Sequence, residues 1–425
     1  MNKAELLVYN LLKNNPRLKK KVRDIYQRIC DFIPVERTKS VYPIKVRENF
    51  FFGFHDKCPW SFNDEFLLAH RFSIPLRMPL PDDCVEIGYF SGQGYSNFHS
   101  LAVTKAWNWH QGAMLQWLGD SLNIIFNDFS QGRHIARILD LEGNLIRIIP
   151  LPIAAVDFDG KKALSYNFAR LWTIHGYGYS NGIDPAGKEL IPSRDGLSLI
   201  DIDSGEVHFL FSVSEITKIA PESSMRGAFH FFTHCQFSPS GRRFSFFHRW
   251  VRNNNRHWTR MITANLEGRE IFIFPTSGMV SHYSWRDENS ILAYARVQKE
   301  GDGYYLFKDK SGEFSVISQE DFNSDGHPSF STDKNWIITD TYPDRFRRRY
   351  LILYNIESKR KYILASLYSP PEYVGSKLED VIDCDFHPRW NRKGTMICFD
   401  SAHTGKRALC TINLGDLRLN EPFSI

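Results

Sequence analysis

The 425-residue sequence predicts an all-β fold, a seven-bladed β-propeller behind a short N-terminal helical segment. Two observations predict it. From about Val46 onward, short β-branched and aromatic runs alternate with turns rich in Gly, Asp, Asn and Pro, and few stretches carry a helical period. In the second half, a histidine stands three residues ahead of an aromatic four times: His234 before Phe237, His282 before Trp285, His327 before Phe330 and His387 before Trp390. Each pair runs into a polar turn and a hydrophobic strand, and the histidines recur about every 45 to 60 residues, the length of a propeller blade.

Residues 1–40 differ in character from the rest of the chain. Leu6, Leu7, Tyr9, Leu11 and Leu12 precede Asn15-Pro16, and Val22, Ile25, Tyr26, Ile29 and Phe32 come after Lys19-Lys20-Lys21 at helical spacing. This predicts two short amphipathic helices broken near Pro16. Such a basic segment either touches an anionic membrane surface or a partner, or packs on the main domain. From residue 46 to 425, matching aromatic-plus-turn units begin near Phe51, Ala113, Ala155, Phe232, Ser281, Gly326 and Asp385. The last unit is short and is expected to borrow an N-terminal strand, since closing the ring removes exposed sheet edges. A β-sandwich pair leaves the spaced histidines unexplained, and a β-helix needs a shorter period.

Composition narrows the function classes. With 42% hydrophobic and 14% aromatic residues the chain is not disordered, and a net charge of +5 spread along it lacks a nucleic-acid footprint. The one dense basic run is Arg345 to Arg349, with four arginines. No apolar stretch reaches membrane-spanning length, and Met1 to Leu12 shows no secretion signal. Seven cysteines without paired spacing fit a reducing compartment. Residence in the cytoplasm is expected, with the basic N-terminal segment offering peripheral contact to the inner membrane. P-loop, Gly-x-Ser-x-Gly and His-Glu-x-x-His motifs are missing, which weighs against nucleotide and serine hydrolase chemistry.

Three constellations carry candidate chemistry. Blade-entry residues converge on a propeller's channel, so His234, His282, His327 and His387 suit a divalent metal, manganese or zinc, with Cys384 or Asp385 completing the shell. Each is also open to a structural role, hydrogen-bonding a neighbouring turn. The second constellation is Trp107 to Gly112 with His110, then Asn127, and then Tyr177, Tyr179 and Arg194 around Gly176 and Gly178. Histidine, tyrosine and arginine are the groups needed to abstract a proton beside a carboxylate. The third is Gly53 to Trp60, whose His55, Asp56 and Lys57 either reach the channel mouth or anchor the closing ring.

Phe232 to Pro239 with Phe244 to His248, Ser281 to Trp285, and Asp385 to Trp390 resemble blades of the oligogalacturonate lyases. Phe54 to Trp60, Asp325 to Phe330, and His387 to Ser401 resemble the related ulvan lyase-like propellers. Both are seven-bladed polysaccharide lyases that cleave uronate-containing glycans by β-elimination. The resemblance implies metal ligation by His282 and His387. It also implies a base and an acid from His110 and from Tyr177 or Tyr179, with Arg194 neutralising the uronate. Asn127 or His134 stands where the ulvan enzymes carry a second histidine, and Asp385 replaces a histidine of the metal site. Asn127, His134, His55, Lys57 and His234 are the candidate substrate-binding residues. The expected partner is an acidic polysaccharide or oligosaccharide, and no nucleic acid. The basic N-terminus resembles proteins of bacterial surface-polysaccharide loci. A non-catalytic propeller scaffold or glycan-binding protein is the alternative reading.

Overall fold

The computed structural model describes residues 3–12, 15–175, 177–252, 256–318, 321–322, 324–373 and 382–415. Seven antiparallel sheets succeed one another around a channel. Blade one comprises Phe50–Phe51, Leu67–Arg71, Val85–Ser91 and Asn97–Thr104; blade two comprises Gln116–Trp117, Ile124–Ser130, Arg133–Leu139 and Leu145–Ile149. Blade three is Ala155–Val156, Lys162–Ser165, Gly196–Asp201 and Val207–Ser212, and blade four is Phe229–Phe237, Arg243–Val251, His257–Asn265 and Phe272–Ile273. Val280–Asp287, Ser290–Val297, Gly301–Lys308 and Phe314–Ile317 form blade five; Ser329–Phe330, Trp336–Asp340, Arg348–Asn355 and Arg360–Tyr368 form blade six. Blade seven has Arg389–Trp390, Met396–Ser401 and Ala408–Asn413 from its own stretch of chain and takes its fourth strand, Ile44–Glu48, from the N-terminal side, as the short last unit predicts. Lys39–Ser40 adds a fifth strand to blade six.

The polar turns at the repeat positions close the first hairpin of several blades. Gly241, Lys334 and Gly394 each donate a backbone hydrogen bond three residues back and have positive φ. Asp64 does the same in blade one and also holds the ring shut. Its carboxylate accepts from the Asn391 side chain and from the backbone of Arg392 and Lys393 in blade seven. Deeper in the same seam, buried Arg389 donates to the carbonyls of Phe54 and Gly53 and faces Asp400 at 3.4 Å. Gly53 cannot be replaced cheaply: its φ is +125°, and an added Cβ would stand 2.8 Å from the Gln111 carbonyl carbon.

A second regularity ties blade to blade. A polar residue of the second strand accepts hydrogen bonds from the entry backbone of the next blade. Asp400 accepts from Phe52 and Gly53 (3.1 and 3.2 Å), and Asp340 accepts from Phe386 and His387 (3.1 and 3.3 Å). Asn127 accepts from Ile153 at 2.7 Å, and His70 Nε2 accepts from Ala113 at 3.0 Å. Burial makes these contacts costly to lose, because a buried N–H left unpaired forfeits about 1–3 kcal/mol.

The N-terminal segment forms two helices, α1 (Lys3–Leu12) and α2 (Pro16–Cys30). Asn15 caps α2 through the Leu18 N–H, and Pro16 occupies the first turn, where its missing N–H costs nothing. The pair lies against blade six. Glu5 bonds Arg345 at 2.9 Å, Asp31 bonds Arg347 at 3.1 Å, and Gln27 donates to the Asp344 carbonyl. The dense arginine run is thereby occupied: Arg348 pairs with Asp344 and Arg349 with Asp385. Among the described residues, no helix is long and apolar enough to cross a membrane.

Candidate metal and catalytic site in the channel

Ring-bearing side chains from around the propeller gather at the axis. His110, His387, His327, His282, His234 and Tyr177 form a closed circuit, with successive ring centroids 5.7, 4.3, 4.0, 6.4, 6.3 and 5.3 Å apart. Phe54 of blade one stands among them, 4.9 Å from both His234 and His387, with His55 beside it.

Local backbone irregularity aims these groups. The inner-strand registers of blades four and five shift between Thr233 and Gln236 and between Val280 and Tyr283, so His234 and His282 stand on bulges. His327 and His387 shortly precede the short inner strands of their blades. His234 and His387 have φ values of 57° and 45°, uncommon for a side chain with a Cβ and typical of functional positions. His110 is presented by a turn in which the Asn108 side chain accepts from the backbone of His110 and Gln111. Tyr177 lies just beyond α3 (Phe168–His175), and its carbonyl accepts from the Asn108 amide.

Oxygens hold one nitrogen of most of these imidazoles. His55 Nδ1 lies 2.9 Å from the Pro328 carbonyl, His327 Nδ1 2.7 Å from Asp340, and His282 Nδ1 3.3 Å from Asp325. His234 Nδ1 lies 2.9 Å from the Thr233 hydroxyl. The Nε2 atoms of His55, His110 and His387 are buried without a hydrogen-bond partner among the described residues. His55, fixed through Nδ1 with Nε2 bare, is arranged as metal ligands are. His110, Asp385 and His387 bring three ligand atoms within 4.8 Å of one another.

The electrostatics fit a cation. Burial pushes His110 down to about 3 and drives His55, His234 and His387 well below the ordinary imidazole value, so these rings stay neutral and able to bind metal. Burial also lowers His282. Burial opposes the charge on His327 too, but Asp340, its hydrogen bond and Asp385 outweigh it and raise that group. For Asp385 burial favours the neutral acid, yet Arg349, His327 and His110 hold it ionised, well below the usual carboxylate range.

The channel opens into a cavity of about 2300 Å³ whose lining includes His110, Tyr177, Arg249, Asp325, Tyr342 and Asp385. Arg249 is the feature that sequence reasoning missed. Its Nε is buried without a hydrogen-bond partner among the described residues, and burial pushes the Tyr177 phenol up to about 12 against the opposing pull of Arg249. The signal was a lone cation inside the aromatic strand Phe244 to Trp250. Asp340, which pins two channel histidines, was also missed.

The other expected site residues lie elsewhere. Tyr179 is fully buried, stacks on Phe168 at 4.5 Å, and its hydroxyl accepts from the Asn127 amide at 2.7 Å. Asn127 is a blade-to-blade acceptor, and His134 Nε2 pairs with Asn181 at 2.9 Å. None of the three lines the cavity. Arg194 is exposed on the turn before Gly196 and does not line it either. Lys57 is buried in an ion pair with Asp56 at 2.7 Å. Cys384 packs among Tyr373 and Ala402, and burial pushes its thiol up to about 11, so the metal set exchanges this thiol for His110.

No family model matches the sequence, and no curated protein does. Solved structures share the fold at low identity. An oligogalacturonate lyase in complex with manganese superposes with a TM-score of 0.61 at 13% identity, over 90% of this chain and 99% of that one. An oligogalacturonate lyase from Vibrio parahaemolyticus gives 0.59 at 13%, over 89% and 94%. The tricorn protease gives 0.50 at 12%, over 88% of this chain and 34% of that one. The fold is therefore the seven-bladed propeller seen in oligogalacturonate lyases.

Proposed function

We propose that the chain is a propeller lyase that cleaves a uronate-containing glycan by β-elimination, with a divalent metal in the channel. One observation carries it: Arg249, a guanidinium with a bare, buried Nε, shares the cavity with Tyr177 and neutral His110 beside a ready-made metal donor set. Arg249 takes the role for which the sequence resemblance points to Arg194. It binds the uronate carboxylate and stabilises the charge that spreads into it when carbon 5 loses its proton.

His110 and His234 flank Tyr177, and both are held neutral, as a general base requires. The base takes the carbon-5 proton, the electron pair forms the C4=C5 bond, the bond from carbon 4 to the glycosidic oxygen breaks, and the Tyr177 phenol protonates that oxygen. Asp385 and His387 would hold the ion with His110, and the neighbouring His327 and His282 suit manganese or zinc as imidazole donors. Bound there, the metal supplies a positive centre that draws charge from a carboxylate.

The test is incubation of the purified, metal-loaded protein with polygalacturonate fragments and other uronate glycans, monitoring the ultraviolet absorbance of the unsaturated product. Growth of absorbance that Arg249→Ala removes supports the reading. No absorbance on any acidic glycan sinks it.

A further inference from the structure

We propose that the α1–α2 hairpin docks the mouth of the channel onto an anionic membrane surface. The proposal goes beyond the lyase reading and does not depend on which chemistry the channel performs.

The hairpin stands at the cavity: Val8, Tyr9, Lys19, Val22, Ile25 and Ile29 line it together with the channel residues. Yet its apolar side chains are not consumed by the propeller. On α1, Leu7, Val8 and Leu11 share one face by helical spacing, and Leu11 is 75% exposed. On α2, Leu18, Val22, Ile25 and Ile29 form one stripe, with Ile29 61% exposed, and Phe32 just beyond is 91% exposed. The anchoring face is different, since Gln27 and Cys30 are buried against the propeller.

Charge identifies what covers the stripe. Arg17, Lys21 and Arg28 run along one edge of it at helical spacing, while on the other edge Lys19 stands over the Tyr9 ring at 5.3 Å and lines the cavity with Arg23. Asp24 is the single acid in α2, and Lys20 and Arg23 already pair with it. An apolar stripe bordered by a row of cations is the pattern of a helix lying in the interface of an anionic bilayer, where the apolar side chains enter the acyl boundary and the bases meet the headgroups. A protein partner of mixed surface charge would not match an unbroken cationic row beside the stripe. Across the mouth, Ile183 is 88% exposed and also lines the cavity, so the apolar rim continues onto blade three. A glycan entering from this side would be one attached to, or held against, the membrane.

The experiment sediments the full chain with vesicles of phosphatidylcholine alone or mixed with phosphatidylglycerol. Expected is roughly tenfold or greater enrichment on the anionic vesicles, falling as salt is raised. Both an Ile25→Asp/Ile29→Asp variant and an Arg17→Glu/Lys21→Glu/Arg28→Glu variant should lose it. Thermal melting of each variant establishes that it is folded. These side chains are exposed, so wild-type melting is expected. Equal partition onto neutral and anionic vesicles, or binding unchanged in the folded variants, overturns the proposal. So does a dimer by light scattering that Ile25→Asp/Ile29→Asp abolishes, because a second copy of the chain would then be the occupant.

Discussion

The propeller carries two tiers of buried polar residues that look alike in sequence and differ in one respect. The outer tier, Asn127, Asp340 and Asp400, lies on second strands and spends its acceptors on the next blade's backbone. The axial tier, His55, His110 and His387, keeps an Nε2 buried with no protein partner. Burying a polar atom without compensation costs about 1–3 kcal/mol. A chain tolerates that repeatedly on one axis only where something else takes up the bare nitrogens. Between these two tiers the difference lies in hydrogen-bond satisfaction and not in burial.

Breaking the outer tier should therefore cost stability, and breaking the axial tier should cost ligand. The largest loss is expected for Asp400→Ala, which leaves Arg389 buried beside two unpaired backbone donors. About 3–5 kcal/mol should vanish from chemical denaturation. In the axial tier, His387→Ala should weaken divalent-metal binding by about a hundredfold or more in titration calorimetry, with a smaller shift of the unfolding midpoint than Asp400→Ala gives. Equal loss of stability in the two variants would erase the distinction. Arg249→Ala should lower turnover on a uronate glycan by about 10²-fold, roughly 2.7 kcal/mol, whereas exposed Arg194→Ala should leave it near wild type.

Much of this organisation was legible in the chain. The seven units, the borrowed closing strand and the break near Pro16 stem from period and turn chemistry, which are local properties. Convergence of His234, His282, His327 and His387 on the axis was legible for the same reason, since equal offsets in a ring of repeats meet. Tyr177 and His110 were found as residue types but not as ring members, because loops outside the repeat carry them. Arg249 is not singled out by the sequence, because which of two cations faces the cavity depends on strand pleat and on a loop's path. Tyr179 is offered by its glycine-rich loop, and Asn127 by its place where the resembling enzymes carry a histidine. Their mutual hydrogen bond is a contact between residues 52 apart in sequence.

His70 offers a smaller test, by pH. Burial holds it neutral down to about 3, and its Nε2 must stay unprotonated to accept from Ala113. The unfolded chain takes up a proton at the ordinary imidazole value near 6.5, which the native state refuses. The stability tied to His70 is thus complete above pH 6.5 and declines as pH falls toward about 3, at about 1.4 kcal/mol per pH unit. Between pH 7 and pH 5 the wild type should lose about 2 kcal/mol more than His70→Gln in urea unfolding.

The smallest effect sharpens the comparison most, because it falls on a residue the sequence offered as catalytic. Tyr179→Phe removes one hydroxyl and keeps the ring stacked on Phe168. Asn127 loses one of the acceptors of its amide but retains both hydrogen bonds to Ile153, through the carbonyl and through the amide. The net loss should be about 1 kcal/mol of stability. Turnover and metal affinity should be unchanged, since the hydroxyl points into the wall between blades two and three. Tyr177→Phe, which leaves that wall intact, should instead abolish most turnover while the unfolding midpoint stays put. If Tyr179→Phe stops the reaction in a protein of normal stability, the satisfied tier takes part in the chemistry, and hydrogen-bond satisfaction no longer divides scaffold from site.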